Sequence, residues 1–448
     1  MDMDETTDHP NIVPQDTYDA VDRGVPPLTD KAHRDYSKKP SSEEDHADHA
    51  EEKACDEIGF EQDDIELEQD ETPGDDEDQL NQTDLPFTEF ERISQHDRNG
   101  LIETAPSFPF VRCRENTAIA DFQYLKKHSF IGLVEKGEWQ SRSEIDDEYL
   151  SEYVVKRNPI GLRSSDFHHW QARMACEADR FSSPVRTWFD AKIRKSLETS
   201  GFWETSKRSA VSMRQYVASQ FRPSAAKALY ELFGAKRIYD PCGGWGDRLT
   251  AAMASDLELY YCRDVNPLVF AGYALQQQYY PTDVEISYEF KGSEIDCPAE
   301  NFFDLVFTSP PYYKIERYQT SGSKQAKQSH AKFDTFDAWL NGYLFQMIDH
   351  AWRSLKDNGY LAINISDCYA DGTSNKIVMP MLEYVLNKFT DAHFVAIIGY
   401  AMASRVNVNN VDISGEPITI FRKGAYMNFE DLIPEKKQMC FGFDDDYE

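Results

Sequence analysis

Closely spaced cysteines are missing from this sequence. Its eight cysteines are scattered, and no two lie within four residues of each other: Cys55, Cys113, Cys176, Cys242, Cys262, Cys297, Cys368 and Cys440. The paired spacing of zinc-binding cysteines is therefore absent, and we predict no metal site. Single cysteines of this kind are typical of proteins that work in a reducing compartment.

Long apolar runs are missing as well. No stretch approaches the roughly 18 apolar residues that a membrane-spanning helix needs. The opening residues, MDMDETTDHP, are acidic and polar, unlike those of a secretory signal. These absences predict a soluble intracellular protein without a membrane partner, and they do not separate cytoplasm from nucleus.

The first fifth of the chain has little from which a core could form. Residues 1–90 contain no Trp and carry 30 Asp and Glu against 6 Lys and Arg, in a chain whose formal net charge is −32. Such a segment cannot bury enough apolar surface to offset the entropy cost of ordering it. We predict a disordered, solvating acidic tail. The alternative is an arm that mimics nucleic acid and competes for a basic groove on the same protein.

Apolar segments of strand length alternate with helical patterns after about residue 216. Strands are predicted at 237–239, 257–263, 284–288, 303–308, 360–365, 394–400 and 418–421, and helices at 224–233, 247–254, 267–279, 336–355 and 377–389. This alternation predicts an α/β fold with a doubly wound, mainly parallel sheet. We assign 216–425 to this domain and 426–448 to a C-terminal tail.

Residues 91–215 form a lead-in that we predict to be helical and that is the main candidate for substrate recognition. Between 181 and 207, large apolar side chains recur mostly every three or four residues: Trp188, Phe189, Ile193, Leu197, Phe202 and Trp203. This spacing indicates the buried face of a helix. The adjacent His168 and His169 would point in different directions from a helix, so we do not expect them to share a ligand.

A glycine-rich loop follows the first strand of the predicted domain, in the run Tyr-Asp-Pro-Cys-Gly-Gly-Trp-Gly-Asp-Arg at 239–248. Glycines there let the backbone approach a ligand and adopt positive φ. Asp264 ends the second strand, where a carboxylate can accept hydrogen bonds from both hydroxyls of a ribose. Each feature alone also fits a structural turn. Together they predict a cofactor that contains adenosine.

Ser309-Pro310-Pro311-Tyr312 follows the apolar strand FDLVF directly. The two prolines fix φ and remove two N–H donors, so the corner presents rigid carbonyl acceptors. Ser309 adds a hydroxyl acceptor, and Tyr312 adds a flat aromatic face. This set suits a planar substrate that carries an NH2 group.

These motifs resemble those of the amino-methyltransferases that modify adenine N6 or cytosine N4, whose signature is Asp/Asn/Ser-Pro-Pro-Tyr/Phe/Trp. The blocks FDLVFTSPPYYKIERYQ and FDAWLNGYLFQMIDHAWRSLKDNGYLAINISD are similar to bacterial and phage DNA methylases. The resemblance covers about residues 180–425. It implies a Rossmann-like methyltransferase fold with a seven-stranded, mainly parallel sheet. It also implies S-adenosylmethionine as cofactor and nucleic acid, in particular double-stranded DNA, as partner.

The resemblance also implies roles for individual residues. Those expected to bind the cofactor are Phe221, Asp240, Pro241, Gly243, Gly244, Gly246, Asp264 and Glu294, with Ser293 or Asp296 as alternatives to Glu294. Ser309, Pro310, Pro311 and Tyr312 are the expected catalytic residues. The motif leaves adenine and cytosine both open as targets.

Two alternative functions remain open at this point. The same acceptor groups would suit RNA or the side chain of a protein glutamine, and the chain could instead be a non-catalytic binding subunit. The segment 312–333 contains Lys314, Arg317, Lys324, Lys327 and Lys332 against the single acid Glu316. A basic loop next to the catalytic motif can contact phosphates. The pattern leaves the oligomeric state open.

Overall fold

The computed structural model describes residues 108–110, 112–176, 183–198, 206–207, 210–211, 218–315, 328–402 and 413–434. The predicted acidic tail at 1–90 lies outside these residues, as does most of the C-terminal tail. No helix within the described ranges combines the length and the apolar character that crossing a bilayer requires.

The strands within these ranges are β1 (Val134–Lys136), β2 (Gln140–Ser141), β3 (Leu150–Val155), β4 (Arg237–Asp240), β5 (Leu259–Asp264), β6 (Glu285–Phe290), β7 (Phe303–Thr308), β8 (Leu355–Asn364), β9 (Cys368–Ala370), β10 (Thr373–Asn375), β11 (Ala392–Ala401) and β12 (Ser414–Lys423). The helices are α1 (Glu115–Lys127), α2 (Leu162–Met174), α3 (Pro184–Phe189), α4 (Ala191–Glu198), α5 (Pro223–Leu232), α6 (Asp247–Met253), α7 (Pro267–Tyr279), α8 (Ser329–Lys332), α9 (Phe336–Trp339), α10 (Phe345–Ser354) and α11 (Val378–Lys388).

Seven adjacent strands form the predicted doubly wound sheet, in the order β6-β5-β4-β7-β8-β12-β11. The five strands from β6 to β8 pair in parallel, and β12 pairs antiparallel with both β8 and β11. The chain runs outward from β4 to β6 and then continues on the other side of β4 with β7. The strand order therefore reverses between β4 and β7, where open α/β sheets bind their ligands. The predicted doubly wound, Rossmann-like fold is confirmed.

Alternate side chains of the central strands enter two different cores. Ile238 and Leu305 pack into one core with the buried residues of α5, α6 and α7, whereas Val306 and Leu361 pack into the other with those of α10 and α11. Because successive side chains of a strand point to opposite faces, strands covered on both faces are apolar throughout. This accounts for the run FDLVF in β7.

The lead-in contains strands that the sequence did not indicate, so describing it as helical was incomplete. β3 pairs in parallel with β11, β1 pairs antiparallel with β3, and β2 pairs with the start of β12. β1 and β2 have only three and two residues and include polar positions, so no local period marks them. Their pairing depends on a sheet edge that is distant in the sequence. The lead-in thereby extends the sheet beyond seven strands.

The predicted helix at 336–355 consists of α9, a π-helical turn at Leu340–Leu344 and α10. Asn358 and Gly359 lie inside β8. There Asn358 has a φ of +66°, and the pairing register with β7 shifts between Phe303 and Leu305. Among the large apolar side chains between 181 and 207, Trp188 and Leu197 are fully buried, which confirms that they belong to a core. Phe202 and Trp203 lie outside the described residues.

Candidate active site

A cleft of about 650 Å³ opens at the carboxyl ends of the parallel strands. This volume is within the usual range of small-molecule sites. One part, the glycine half, is lined by Gln220, Phe221, Pro241–Trp245, Asp247, Arg248, Asp264–Asn266 and Lys291–Glu294. The other, the proline half, is lined by Ser309, Pro311, Tyr312, Ser366–Tyr369, Ser414 and Glu416. The predicted cofactor loop and the predicted catalytic motif therefore border one cavity.

The glycine loop holds its shape through positions that only glycine fits well. Gly244 and Gly246 have φ values of +60° and +76°. A Cβ atom at Gly243 would lie 2.7 Å from the Tyr273 hydroxyl. Gly243 and Gly244 line the cleft, while Gly246 faces inward, where a Cβ atom would lie 2.6 Å from Nε2 of His169. The loop backbone thus takes a path that side chains would block.

Asp240 does not line the cleft. Its side chain is fully buried and accepts hydrogen bonds from Arg248 Nε at 2.7 Å, Tyr260 Oη at 2.6 Å and Thr308 Oγ1 at 2.9 Å. The backbone N–H of Cys242 also donates to it, at 3.2 Å. Asp240 therefore joins the starts of the glycine loop and of α6 to the end of β7. This placement suits a residue that shapes the cofactor loop from behind.

Asp264 faces the cleft from the end of β5. One carboxylate oxygen accepts from the backbone N–H of Gly244 at 2.8 Å, and the other accepts from that of Asn266 at 2.7 Å. Burial raises the pKa of Asp264 to about 6. Each carboxylate oxygen can accept more than one hydrogen bond, so the oriented pair retains capacity for two neighbouring hydroxyl groups.

Glu294 lines the cleft beyond β6 and forms an ion pair with Lys332 at the end of α8. Of the two alternatives to it, Ser293 also lines the cleft and Asp296 does not. The Ser293 hydroxyl is buried and donates to the Pro241 carbonyl. Asp296 forms ion pairs with Arg263 at 2.9 Å and Lys291 at 2.5 Å, and it is not among the residues that line the cleft. Of the three, Glu294 has the best access to a ligand.

Three of the four motif residues line the proline half: Ser309, Pro311 and Tyr312. Pro310 is buried behind them. Among the described residues, none forms a hydrogen bond with the Ser309 hydroxyl or donates to the Pro310 carbonyl. The Tyr312 hydroxyl donates to Glu416 Oε2 on β12 at 3.1 Å. The corner thus presents the Ser309 hydroxyl and an aromatic ring to the cleft, with Pro310 buried behind them.

Tyr313 fixes the corner from behind with an uncommon backbone conformation. Its φ is +50°, and its side chain is 2% exposed. Its hydroxyl donates to the Asp334 carbonyl at 3.1 Å, and its ring packs against that of Trp339, with 5.7 Å between the ring centroids. A positive φ at a non-glycine residue costs of order 1–3 kcal/mol and persists where the surroundings hold it. The packing of Tyr313 meets that requirement.

Part of the predicted basic segment is neutralised within the protein. Lys314 forms an ion pair with Asp371 at 2.5 Å, and Lys332 forms one with Glu294. Arg317, Lys324 and Lys327 lie outside the described residues. Contact of this segment with phosphates therefore stays a prediction.

Several cleft residues were missed from the sequence. Asp247 follows the glycine loop directly, so a polar residue at the first helical position after the loop could have signalled it. Arg142 comes from the lead-in, and Glu416 comes from β12, about 100 residues after the motif. No local pattern marks either, because tertiary folding alone brings them to the cleft.

Comparisons with known proteins find similarity over parts of this chain. Residues 303–439 match the family model described as DNA methylase. The fold is similar to that of the N-methyltransferase NodS from Bradyrhizobium japonicum WM9, with 13% identity, coverage of 44% of this chain and 83% of that chain, and a TM-score of 0.29. It is also similar to 1,6-didemethyltoxoflavin-N1-methyltransferase from Burkholderia thailandensis, with 12% identity, coverage of 44% and 76%, and a TM-score of 0.29. No curated protein sequence matches the chain.

The family match begins at the first residue of β7 and includes the motif at 309–312, β8, β11 and β12. It therefore spans the proline half of the cleft and three of the strands that carry it. Over residues 303–439, this chain is similar to the family described as DNA methylase.

Proposed function

We propose that this protein transfers a methyl group from S-adenosylmethionine to the exocyclic amino group of a DNA base, adenine N6 or cytosine N4. The observation that carries the proposal is that Asp264 and Ser309 line one cleft, on opposite sides of the point where the strand order reverses. A cofactor held by the first would present its reactive group to a substrate held by the second. The family match supports a DNA base as the substrate.

The glycine half has the groups that S-adenosylmethionine requires. The carboxylate of Asp264, oriented by two backbone N–H groups, would accept the ribose hydroxyls, and Glu294 would contact the adenine ring. Gly243 and Gly244 bring a backbone without side chains to the wall of the cleft. When bound, the cofactor supplies an electrophilic methyl group on a sulfonium centre.

The proline half prepares the nucleophile. An exocyclic base nitrogen is weakly nucleophilic because its lone pair is delocalised into the ring. Hydrogen bonds from the NH2 group to the Ser309 hydroxyl and the Pro310 carbonyl localise that lone pair and aim it across the cleft. Positioning of this kind supplies up to about 7–11 kcal/mol in favourable cases. A strong general base is unnecessary, since the amine proton becomes acidic only after the methyl group is attached.

Tyr312 supplies the stacking surface for the base. Its ring borders the cleft, and its hydroxyl is held by Glu416, so the ring has a defined orientation before substrate enters. A base in duplex DNA is inside the stack and must be flipped out to reach this ring, at a cost of a few kcal/mol. Stacking on the aromatic face offsets part of that cost.

A methyl-transfer assay with labelled S-adenosylmethionine, with DNA, RNA and protein as parallel acceptors, tests the proposal. We expect label in DNA alone. Label only in RNA or only in protein would show that this class of molecule, and not DNA, is the substrate. No label in any of the three would favour a non-catalytic binding subunit.

The mechanism is tested by two substitutions in the proline half. Ser309→Ala and Tyr312→Ala should each strongly reduce transfer, whereas Ser255→Ala, near the end of α6 away from the glycine loop, serves as a matched control and should retain it. Full activity of both motif variants would refute the assigned roles.

A further inference from the structure

We propose that the Asp247 carboxylate binds the α-ammonium group of the methyl donor. This inference rests on the proposed function, and it assigns a residue to the amino-acid end of the cofactor. Asp247 is the first residue of α6, directly after Gly246, and it lines the cleft although its side chain is only 3% exposed.

The carboxylate is held from two directions. Oδ1 accepts a hydrogen bond from the Ser165 hydroxyl on α2 at 2.5 Å and another from Gln220 Nε2 at 2.9 Å. Gln220 is fixed in turn, because its Oε1 accepts from Arg173 at 2.7 Å. No described residue donates to Oδ2 of Asp247. One oxygen is therefore anchored, and the other is left for a ligand.

The order of strands indicates which end of the cofactor reaches Asp247. With the adenine near Glu294 after β6 and the ribose on Asp264 after β5, the methyl group must face Ser309 after β7. The remaining branch of the molecule carries the ammonium and carboxylate groups, and it must then follow the loop after β4. Gln220 and Asp247 line the cleft at that loop.

No described cation forms an ion pair with Asp247, although Arg173 and Arg248 lie near it. Arg248, its neighbour in sequence, forms the ion pair with Asp240. Arg173 forms an ion pair with Asp166 and donates to the Ala218 carbonyl. Burial raises the pKa of Asp247 to about 7, because Arg173 and Arg248 offset the burial only in part and the carboxylate has no directly paired counter-charge among the described residues. A ligand ammonium would supply that charge in a site that is already hydrogen-bonded.

Calorimetric titration with three thioether ligands tests the assignment on the full-length protein. The ligands are S-adenosylhomocysteine, its analogue without the amino group, and 5′-methylthioadenosine, which lacks the whole amino-acid branch. Asp247→Asn is the matched variant, because it keeps the shape and the acceptor for Ser165. For this variant we expect a loss of about 10- to 100-fold in affinity for S-adenosylhomocysteine and unchanged affinity for 5′-methylthioadenosine.

The analogue without the amino group tests whether the effect of Asp247 depends on that group. The wild-type protein should bind it more weakly than S-adenosylhomocysteine by a similar factor, and Asp247→Asn should bind the two equally. If the variant weakened all three ligands alike, Asp247 would have a structural role and the inference would be wrong. Unchanged affinity of the variant for S-adenosylhomocysteine would overturn it as well.

Failure of the proposed function would look different, since the wild-type protein would then bind none of the three ligands. Ser165→Ala provides a second variant should Asp247→Asn not fold. It keeps the carboxylate but removes one anchor, and we expect a loss of a few-fold that is again confined to ligands with the amino group. Equal loss for 5′-methylthioadenosine would contradict the assignment.

Discussion

The two halves of the cleft differ in how far the protein satisfies its own polar groups. In the glycine half, Asp240 is enclosed by donors from Arg248, Tyr260 and Thr308, and Asp264 is oriented by two backbone N–H groups. In the proline half, the described residues leave the Ser309 hydroxyl without a hydrogen bond. The comparison indicates that one half is prebuilt by a buried network, whereas the other keeps its acceptors available for a substrate.

The largest effect is expected where the prebuilt half is broken. Asp240→Ala leaves the Arg248 guanidinium buried without its counter-charge, and loss of one partner of a buried pair costs about 3–5 kcal/mol. Chemical denaturation should show this loss in the free energy of unfolding. Asp256→Ala is the control, because it breaks an ion pair with Lys236 at the surface and should change stability little. Equal stability of the two variants would show that Asp240 is not structural.

The next effect separates chemistry from stability. Ser309→Ala removes an acceptor that no described residue uses, so the free energy of unfolding should be unchanged. We expect kcat for methyl transfer to fall by about 100- to 1,000-fold, by analogy with the loss of one polar group that stabilises a transition state. The affinity for S-adenosylhomocysteine and the melting temperature should stay the same. A loss of stability in step with the loss of kcat would remove the distinction between the halves.

The pH dependence of cofactor binding tests the role of Asp264 in the glycine half. Ribose hydroxyls favour the ionised form of Asp264, whose pKa is raised to about 6 by burial. The contribution of Asp264 to the affinity for S-adenosylhomocysteine should therefore be complete above about pH 7 and should be lost as the pH decreases through 6. Asp264→Asn should lower the affinity at neutral pH by about 10- to 100-fold and remove the part of the pH dependence that is centred near pH 6. The part that comes from Asp247 should remain. An unaltered pH profile in that variant would place the ribose elsewhere.

The smallest effect is expected at the contact that orients the Tyr312 ring. Glu416→Ala removes the acceptor of the Tyr312 hydroxyl, a single hydrogen bond of about 0.5–1.5 kcal/mol. We expect KM for DNA to rise by about 2- to 10-fold, with less change in KM for the cofactor. Glu416→Gln keeps an acceptor and should restore most of the loss. A larger effect on the cofactor than on DNA would assign Glu416 to the other half.

The same comparison explains what the sequence could predict. Strand β7 and the apolar second half of β8 are visible because strands buried on both faces are largely apolar, and the motif at 309–312 is visible because it follows β7 directly. The position of Asp240 was not predictable, since an acid at a strand end looks the same whether it faces a ligand or a buried arginine. Its partners are spread from Cys242 to Thr308. Strands β1 and β2 were missed because pairing with a distant edge, rather than their own composition, makes them strands.

The central claim is that one cleft holds a methyl donor and a base amino group together. Mass spectrometry of nucleosides from DNA incubated with S-adenosylmethionine and the protein tests it most directly. We predict N6-methyladenine or N4-methylcytosine with the wild-type protein, and neither with a Ser309→Ala variant that still binds S-adenosylhomocysteine. Unmodified DNA from a wild-type protein that binds S-adenosylhomocysteine, or equal modification by the variant, would contradict the claim.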